Sequence, residues 1–168
     1  LIHAQWGGKN MEALSNSAQR VQDWLRQNGY NCQVVETPAT TRTAREAADA
    51  LGCQLGQIAK SLIFRGKETR AGLLVITSGS NRVNETRLSE LAGEAVEKAD
   101  ASFVLEQTGF AIGGVPPAPH LHPMRTWIDV DLNQYAEIWA AAGTPHAVFR
   151  LTPTDLQTMS GGTPTIVT

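Results

Sequence analysis

The chain has 168 residues, 42% of them hydrophobic and 18% charged, with a formal net charge of −2. That length suits one domain able to bury about two thirds of its unfolded surface. The charge balance excludes a general nucleic-acid coat protein but leaves room for a local basic patch.

At the start, 1–10 lacks the long apolar core of a signal peptide. It reads as a leader ahead of Met11, with one domain over 11–168. No apolar run approaches the roughly 18 residues needed to span a bilayer. Cys32 and Cys53 follow no metal-ligand or redox spacing, so reduced thiols in a cytoplasmic protein are expected.

Residues 15–27 carry Val21, Trp24 and Leu25 at helical spacing, and Gly29 supplies a stop, which predicts an amphipathic helix. Residues 32–37 read as a strand ended by Pro38. Thr43-Ala-Arg-Glu46 fits a capping box, with Thr43 and Glu46 satisfying free amides at the start of a helix that runs to Gly52. Arg42 and Arg45 flank that start, either as solvated charges or as an anion-binding helix terminus. One further helical turn is expected at 55–58.

Lys60-Ser-Leu-Ile-Phe-Arg65 follows as a strand, in which Lys60, Leu62 and Phe64 share a face. A lysine on an apolar face is costly to bury unless it reaches a cavity or an anion, or snorkels from the strand end to water. Arg65, Lys67 and Arg70 form the most basic local stretch. Leu73-Leu-Val-Ile-Thr77, apolar on both faces, predicts a central strand. A helix is expected over 84–92 with Gly93 at its end, then a strand at 95–98, then a helix capped by Asp100 and ended by Gly109.

Between Thr108 and His120 the chain places three glycines and three prolines around a short apolar run. Such a loop is stiff. It is either a structural turn or a platform that offers backbone amides. Beyond it, 126–131 alternates as a strand. Asp131 is then expected to cap a helix burying Leu132, Tyr135, Ile138, Trp139 and Ala142. A strand at 147–151 and a helix opened by Thr152 and Pro153 complete the pattern, and the tail at 161–168 shows no regular period. With helices and strands interleaved and only turns between several strand pairs, a mixed sheet or partly closed barrel wrapped by helices is expected.

The motifs of nucleophile-elbow hydrolases, phosphate-cradling loops and dinucleotide folds are absent from the sequence. His120-Leu-His122 is a metal pair without a clear third ligand, so neither metal nor cofactor is expected. Asp129 and Asp131 read as a polar sheet face or a cap rather than an acid pair, and His146 as a pocket or turn residue. Lys60 and the amides of the glycine–proline loop remain as the candidate chemistry.

Thr43-Ala-Arg-Glu-Ala47, Ile58-Ala-Lys-Ser-Leu62, Leu73-Leu-Val-Ile-Thr77, Thr108-Gly-Phe-Ala-Ile-Gly-Gly-Val-Pro-Pro117, Trp127-Ile-Asp-Val-Asp131 and Phe149-Arg-Leu-Thr-Pro-Thr-Asp-Leu156 stand in an order and spacing that resembles a known family. It is the YbaK/prolyl-tRNA-synthetase-associated (ProX-like) trans-editing domain family. The resemblance implies an α+β fold with a mixed, mostly antiparallel, barrel-like central sheet surrounded by helices.

It also implies hydrolysis of the ester of mischarged aminoacyl-tRNA, usually prolyl-tRNA carrying a wrong small amino acid. In that picture Lys60 matches the functional lysine, and Gly113, Gly114, Val115, Pro116 and Pro117 match the substrate-positioning loop. Phe110, His146, Thr43 and Arg45 are further expected substrate contacts. The implied partner is the acceptor end of the tRNA, with an aminoacyl-tRNA synthetase or an elongation factor as additional candidates and no membrane. Some cysteine-specific members carry a serine and an aspartate where this chain has Ala141 and Val148, which points away from cysteinyl-tRNA. A non-catalytic module of the same fold, binding tRNA, nucleotide or protein, is the alternative. If the loop is exposed and its amides meet the ester, Gly114→Val should harm turnover far more than stability.

Overall fold

The computed structural model describes residues 14–168, so the expected leader at 1–10 lies outside the described residues. Helix α1 (Asn16–Gln27) is capped by the Ser15 side chain, which accepts from the Ala18 amide. It buries Ala18, Val21 and Leu25 at the expected spacing. The buried Gln22 amide ties it to β1 (Val34–Glu36), donating to Cys32 O at 3.1 Å and accepting from the Val34 amide at 2.8 Å.

Helix α2 (Ala44–Leu51) starts at Thr43 and ends at Gly52 in the left-handed conformation, where a side chain would be strained. The cap differs from a reciprocal box. Thr43 Oγ1 accepts from the Glu46 amide, but the Glu46 carboxylate meets the Thr43 hydroxyl rather than its amide, both at 3.1 Å. A 3-10 turn (Leu55–Gln57) leads into β2 (Ile58–Gly66), which pairs over seven positions with β3 (Gly72–Ser78). Every residue of β3 is buried, as a strand apolar on both faces requires.

Helix α3 (Glu85–Ala92), β4 (Val96–Lys98) and α4 (Ala101–Thr108) follow, with Asn84 and Asp100 as the helix caps. After the glycine–proline loop come β5 (Arg125–Asp129), a 3-10 turn (Val130–Gln134), β6 (Ile138–Ala141), β7 (Ala147–Leu151), α5 (Pro153–Ser160) and β8 (Thr163–Thr165).

The eight strands form one mixed sheet in the order β1-β7-β6-β2-β3-β5-β8, with β4 also on β2. The β1–β7, β7–β6, β2–β3 and β2–β4 pairs are antiparallel, and β6–β2, β3–β5 and β5–β8 are parallel. The fold is therefore α+β with a mostly antiparallel sheet, as expected. The main core joins α1, α4 and α5 to the sheet through Val21, Leu25, Val104, Phe149 and Leu156. Two smaller clusters cover other parts of the sheet, one with Leu88 of α3 and one with Ala48 and Leu51 of α2.

The helix expected from Asp131 through Ala142 is not formed. Its first turn is 3-10 and is capped by Asp129, not Asp131, and its second half is β6. Ile138 and Ala140 are buried while Trp139 and Ala141 are half-buried, a period of two. Pairing with β2 and β7 on either side decides this segment against its helical spacing. The tail that shows no period supplies β8, laid parallel to β5.

Candidate functional site

A cavity of about 670 Å³ opens beside the middle of β2. Lys60 reaches it from β2, Thr43 and Arg42 from the start of α2, Gly113 and Val115 from the glycine–proline loop, and Arg82 from the loop before α3. Lys98, on β4, also lines it, and among the described residues Glu85 is the one carboxylate residue of the lining. Four cations thus border one cavity with one acid among them, an arrangement suited to an anion.

Lys60 is half-buried. Burial lowers its pKa from the ordinary lysine range, and the positive charge of Arg82 lowers it further. Both side chains line the cavity, where a bound anion would offset their charge. The basic stretch that stands out in sequence is differently disposed. Arg65 and Arg70 both contact Glu97, at 2.8 and 3.5 Å, and Arg65 also lies over the Phe103 ring.

The glycine–proline loop is less exposed than its composition suggests. Gly114, Val115, Pro116 and Pro117 are buried, and only Gly113 among the expected loop contacts is exposed. Gly113 has φ +84°, a conformation that favours glycine. The Gly114 amide donates to Ala111 O at 3.0 Å, and its carbonyl accepts from the Gly143 amide at 2.8 Å. A Cβ at Gly114 would stand 2.6 Å from Thr144 Cα, so this glycine serves a close backbone approach. The premise of an exposed loop at Gly114 is therefore corrected: packing, not solvent, surrounds it.

Phe110 is 1% exposed and sits in the main core under the Arg20 guanidinium, outside the cavity wall. Arg45 is exposed and outside the lining, whereas its neighbour Arg42 is part of it. His146 adjoins the cavity through Pro145 rather than lining it. Its carbonyl accepts from the Thr37 amide and hydroxyl, and its buried Nδ1 has no partner among the described residues. His120 contacts Pro116 O at 2.7 Å through Nε2; because a carbonyl only accepts, that nitrogen carries the proton. Burial lowers the His120 pKa, and the hydrogen bond to Pro116 opposes that shift in part. His122 is exposed, and among the described residues no group of three potential ligands gathers.

The structure thus joins Lys60, Thr43, Gly113 and Val115. It adds Ser61, the neighbour of Lys60 on β2, together with Arg82 and Lys98, which carry no motif in the sequence and reach the cavity only because separate segments converge. Ala141 and Val148 are register partners across β6 and β7, and both line the cavity, so this part of its wall is apolar. Among the described residues, no helix is long and apolar enough to cross a membrane.

The model of the aminoacyl-tRNA editing domain matches residues 38–159. An uncharacterized protein of Bacillus subtilis (strain 168), YwhH, is 31% identical over 137 residues, covering 82% of this chain and 84% of its own length. The proline–tRNA ligase of Kosmotoga olearia is 37% identical over 86 residues, 51% of this chain and 14% of the ligase. The crystal structure of a candidate trans-editing enzyme for prolyl-tRNA synthetase superposes with a TM-score of 0.88 at 46% identity, covering 92% of this chain and 98% of that one. Since the matched stretch takes in Lys60, the glycine–proline loop and the walls of the cavity, the chain belongs to the aminoacyl-tRNA editing domain family.

Proposed function

We propose that the cavity hydrolyses the ester of mischarged tRNA in trans, removing a wrong small amino acid from prolyl-tRNA. The observation that carries this reading is Lys60, a half-buried ammonium in a cavity where cations outnumber acids. In the reaction, water adds to the ester carbonyl carbon and the carbonyl electron pair moves onto oxygen. Collapse of that intermediate breaks the bond to the ribose oxygen, which leaves with a proton derived from the water.

Lys60 holds the negatively charged end of the RNA or the polarised ester, and no protein nucleophile is needed. Arg42, Arg82 and Lys98 are placed in this reading on RNA phosphates, which give affinity without sequence information. Selection for a small amino acid is attributed to the wall. Ile58, Leu62, Val115 and Val148 limit its room with branched apolar side chains, and one methylene in such a pocket is worth about 1–3 kcal/mol. The likeness to the trans-editing crystal structure and to part of a proline–tRNA ligase supports prolyl-tRNA as the carrier.

The test is deacylation of a panel of tRNAs charged with matched and mismatched small amino acids. Release from mischarged prolyl-tRNA, with correctly charged prolyl-tRNA spared, is expected. Tight tRNA binding with no ester cleaved across the panel would overturn the enzyme reading in favour of a binding module.

A further inference from the structure

The middle of β2 has an open edge, and the cavity lies against it. The Gly79 amide donates to Ile58 O at 2.7 Å, and the Gly66 amide to Ala71 O at 3.0 Å, so the even-numbered residues of β2 turn their backbone groups toward β3. Backbone groups alternate sides along an antiparallel strand. The N–H and C=O of Ser61 therefore point away from β3.

On that side, β6 is registered only against Ile58 and Ala59, and β4 only against Phe64, Arg65 and Gly66. The Ala99 amide takes Ile63 O at 3.1 Å. Among the described residues, no strand stands beside Ser61 in the gap between β6 and β4. Residues of both β2 faces line the cavity, including Lys60 and Leu62 on one and Ser61 and Ile63 on the other, so the cavity wraps round this edge. Ser61 is half-buried although its Oγ is shielded and unpartnered. The surface it offers is thus its main chain and Cβ.

We propose that the Ser61 N–H and C=O form a main-chain clamp for the aminoacyl group of the substrate, which rests on the deacylase reading above. In a hydrogen-bonded antiparallel pair, two residues exchange both N–H···O bonds. An aminoacyl ester presents the same two functions in the same order, an amino group that donates and a carbonyl oxygen that accepts. The Ser61 carbonyl takes the α-ammonium, and the Ser61 amide donates to the ester carbonyl oxygen. When water adds to that carbonyl, charge grows on the oxygen and the bond from the amide strengthens, so the donor contributes most in the transition state. The clamp recognises what all aminoacyl esters share and leaves choice of side chain to the cavity wall. Lys60 projects from the opposite face of β2 and remains free for the RNA end.

Two measurements test this. On the wild-type protein, the ester of the small amino acid removed fastest is compared with its desamino counterpart on the same tRNA, for example alanyl with propionyl, each rate divided by its uncatalysed rate. Loss of one charge-assisted hydrogen bond predicts a drop in kcat/KM of about tenfold or more for the desamino ester. Equal corrected values overturn the clamp while leaving the deacylase intact, whereas a wild type that cleaves no ester removes both.

The second measurement uses Ser61→Pro, which deletes the outward N–H without touching the β2–β3 ladder, the position at which a strand tolerates proline. It is expected to melt close to wild type and to lose kcat by about a hundredfold, with KM moved much less. A folded Ser61→Pro protein that turns over normally refutes the assignment. Should this variant not fold, the substrate comparison alone decides.

Discussion

Lys60 is the residue whose chemistry can be read most directly. Its ammonium is disfavoured by burial and by Arg82, so its charge is lost at a lower pH than an ordinary lysine loses it. If the ammonium is the working form, deacylation corrected for spontaneous hydrolysis falls as pH rises through that lowered value. Arg82→Gln removes one source of repulsion, raises the Lys60 pKa and moves the falling limb to higher pH. Lys60→Ala is expected to abolish turnover with the melting temperature held, because the side chain makes no ion pair to lose among the described residues. A Lys60→Ala protein with wild-type turnover would remove the lysine from the mechanism. The adjacent glycines separate differently. Gly114→Ala drives a methyl into the Thr144 backbone and should cost about 1–3 kcal/mol of stability, read as a lowered melting temperature. Gly113→Ala has room, its Cβ 3.6 Å from Pro145 Cγ, but is strained by its positive φ and sits on the cavity. The larger loss of kcat/KM per folded molecule is expected there. A rate loss confined to Gly114→Ala, with its melting temperature unchanged, would return the functional role to Gly114.

At the scale of elements, the cavity wall depends on a knot of hydrogen bonds at the ends of β3 and β5. Asp129, 1% exposed, accepts from the Thr77 hydroxyl, the Ser78 amide and the Asn81 side chain through Oδ2, and from the Asp131 amide through Oδ1. Asn81 precedes Arg82, so the carboxylate anchors the loop that carries a cation to the cavity. Asp129→Ala strands four donors and should destabilise by about 3 kcal/mol or more. Denaturant unfolding measures that cost, and steady-state kinetics should show a raised KM as the Arg82 loop loosens. A variant of wild-type stability would mean that solvent replaces the carboxylate without penalty. The aspartate reads from sequence as a sheet-face residue or cap, and it serves as both, yet its partners on β3 lie some fifty positions away.

At the scale of the molecule, the net charge of −2 conceals an uneven distribution. Arg42, Arg82 and Lys98 come from three separate segments and meet at one cavity, while Arg65 and Arg70 lean on Glu97. If the former set contacts RNA phosphates, kcat/KM on tRNA falls with salt. Arg42→Ala or Lys98→Ala should then each reduce the log–log salt slope by about one. Arg70→Ala should leave the slope in place. The reverse ranking would move the RNA path to the surface around Arg65, Arg70 and Glu97.

Helix starts were determined locally, by short-range chemistry that sequence carries in full. Ser15, Thr43, Asn84, Asp100 and Thr152 each accept a hydrogen bond from an amide three positions on, as a cap needs no distant partner. The buried β3 strand was equally plain, since an apolar run covered on both faces announces itself by composition. Lys60 and the glycine–proline loop could be singled out because a charge on an apolar strand face and a run of glycine and proline are both unusual for their surroundings. Only the tertiary structure decided that 138–141 is a strand, because a short apolar run fits both periods and hydrogen-bonding neighbours settle the matter. The same holds for the cations that border the cavity, the burial of Gly114 against Thr144, and the open edge at Ser61. Each of these is a relation between segments far apart in the chain, and spacing along one segment holds no information about which other segment will pack against it.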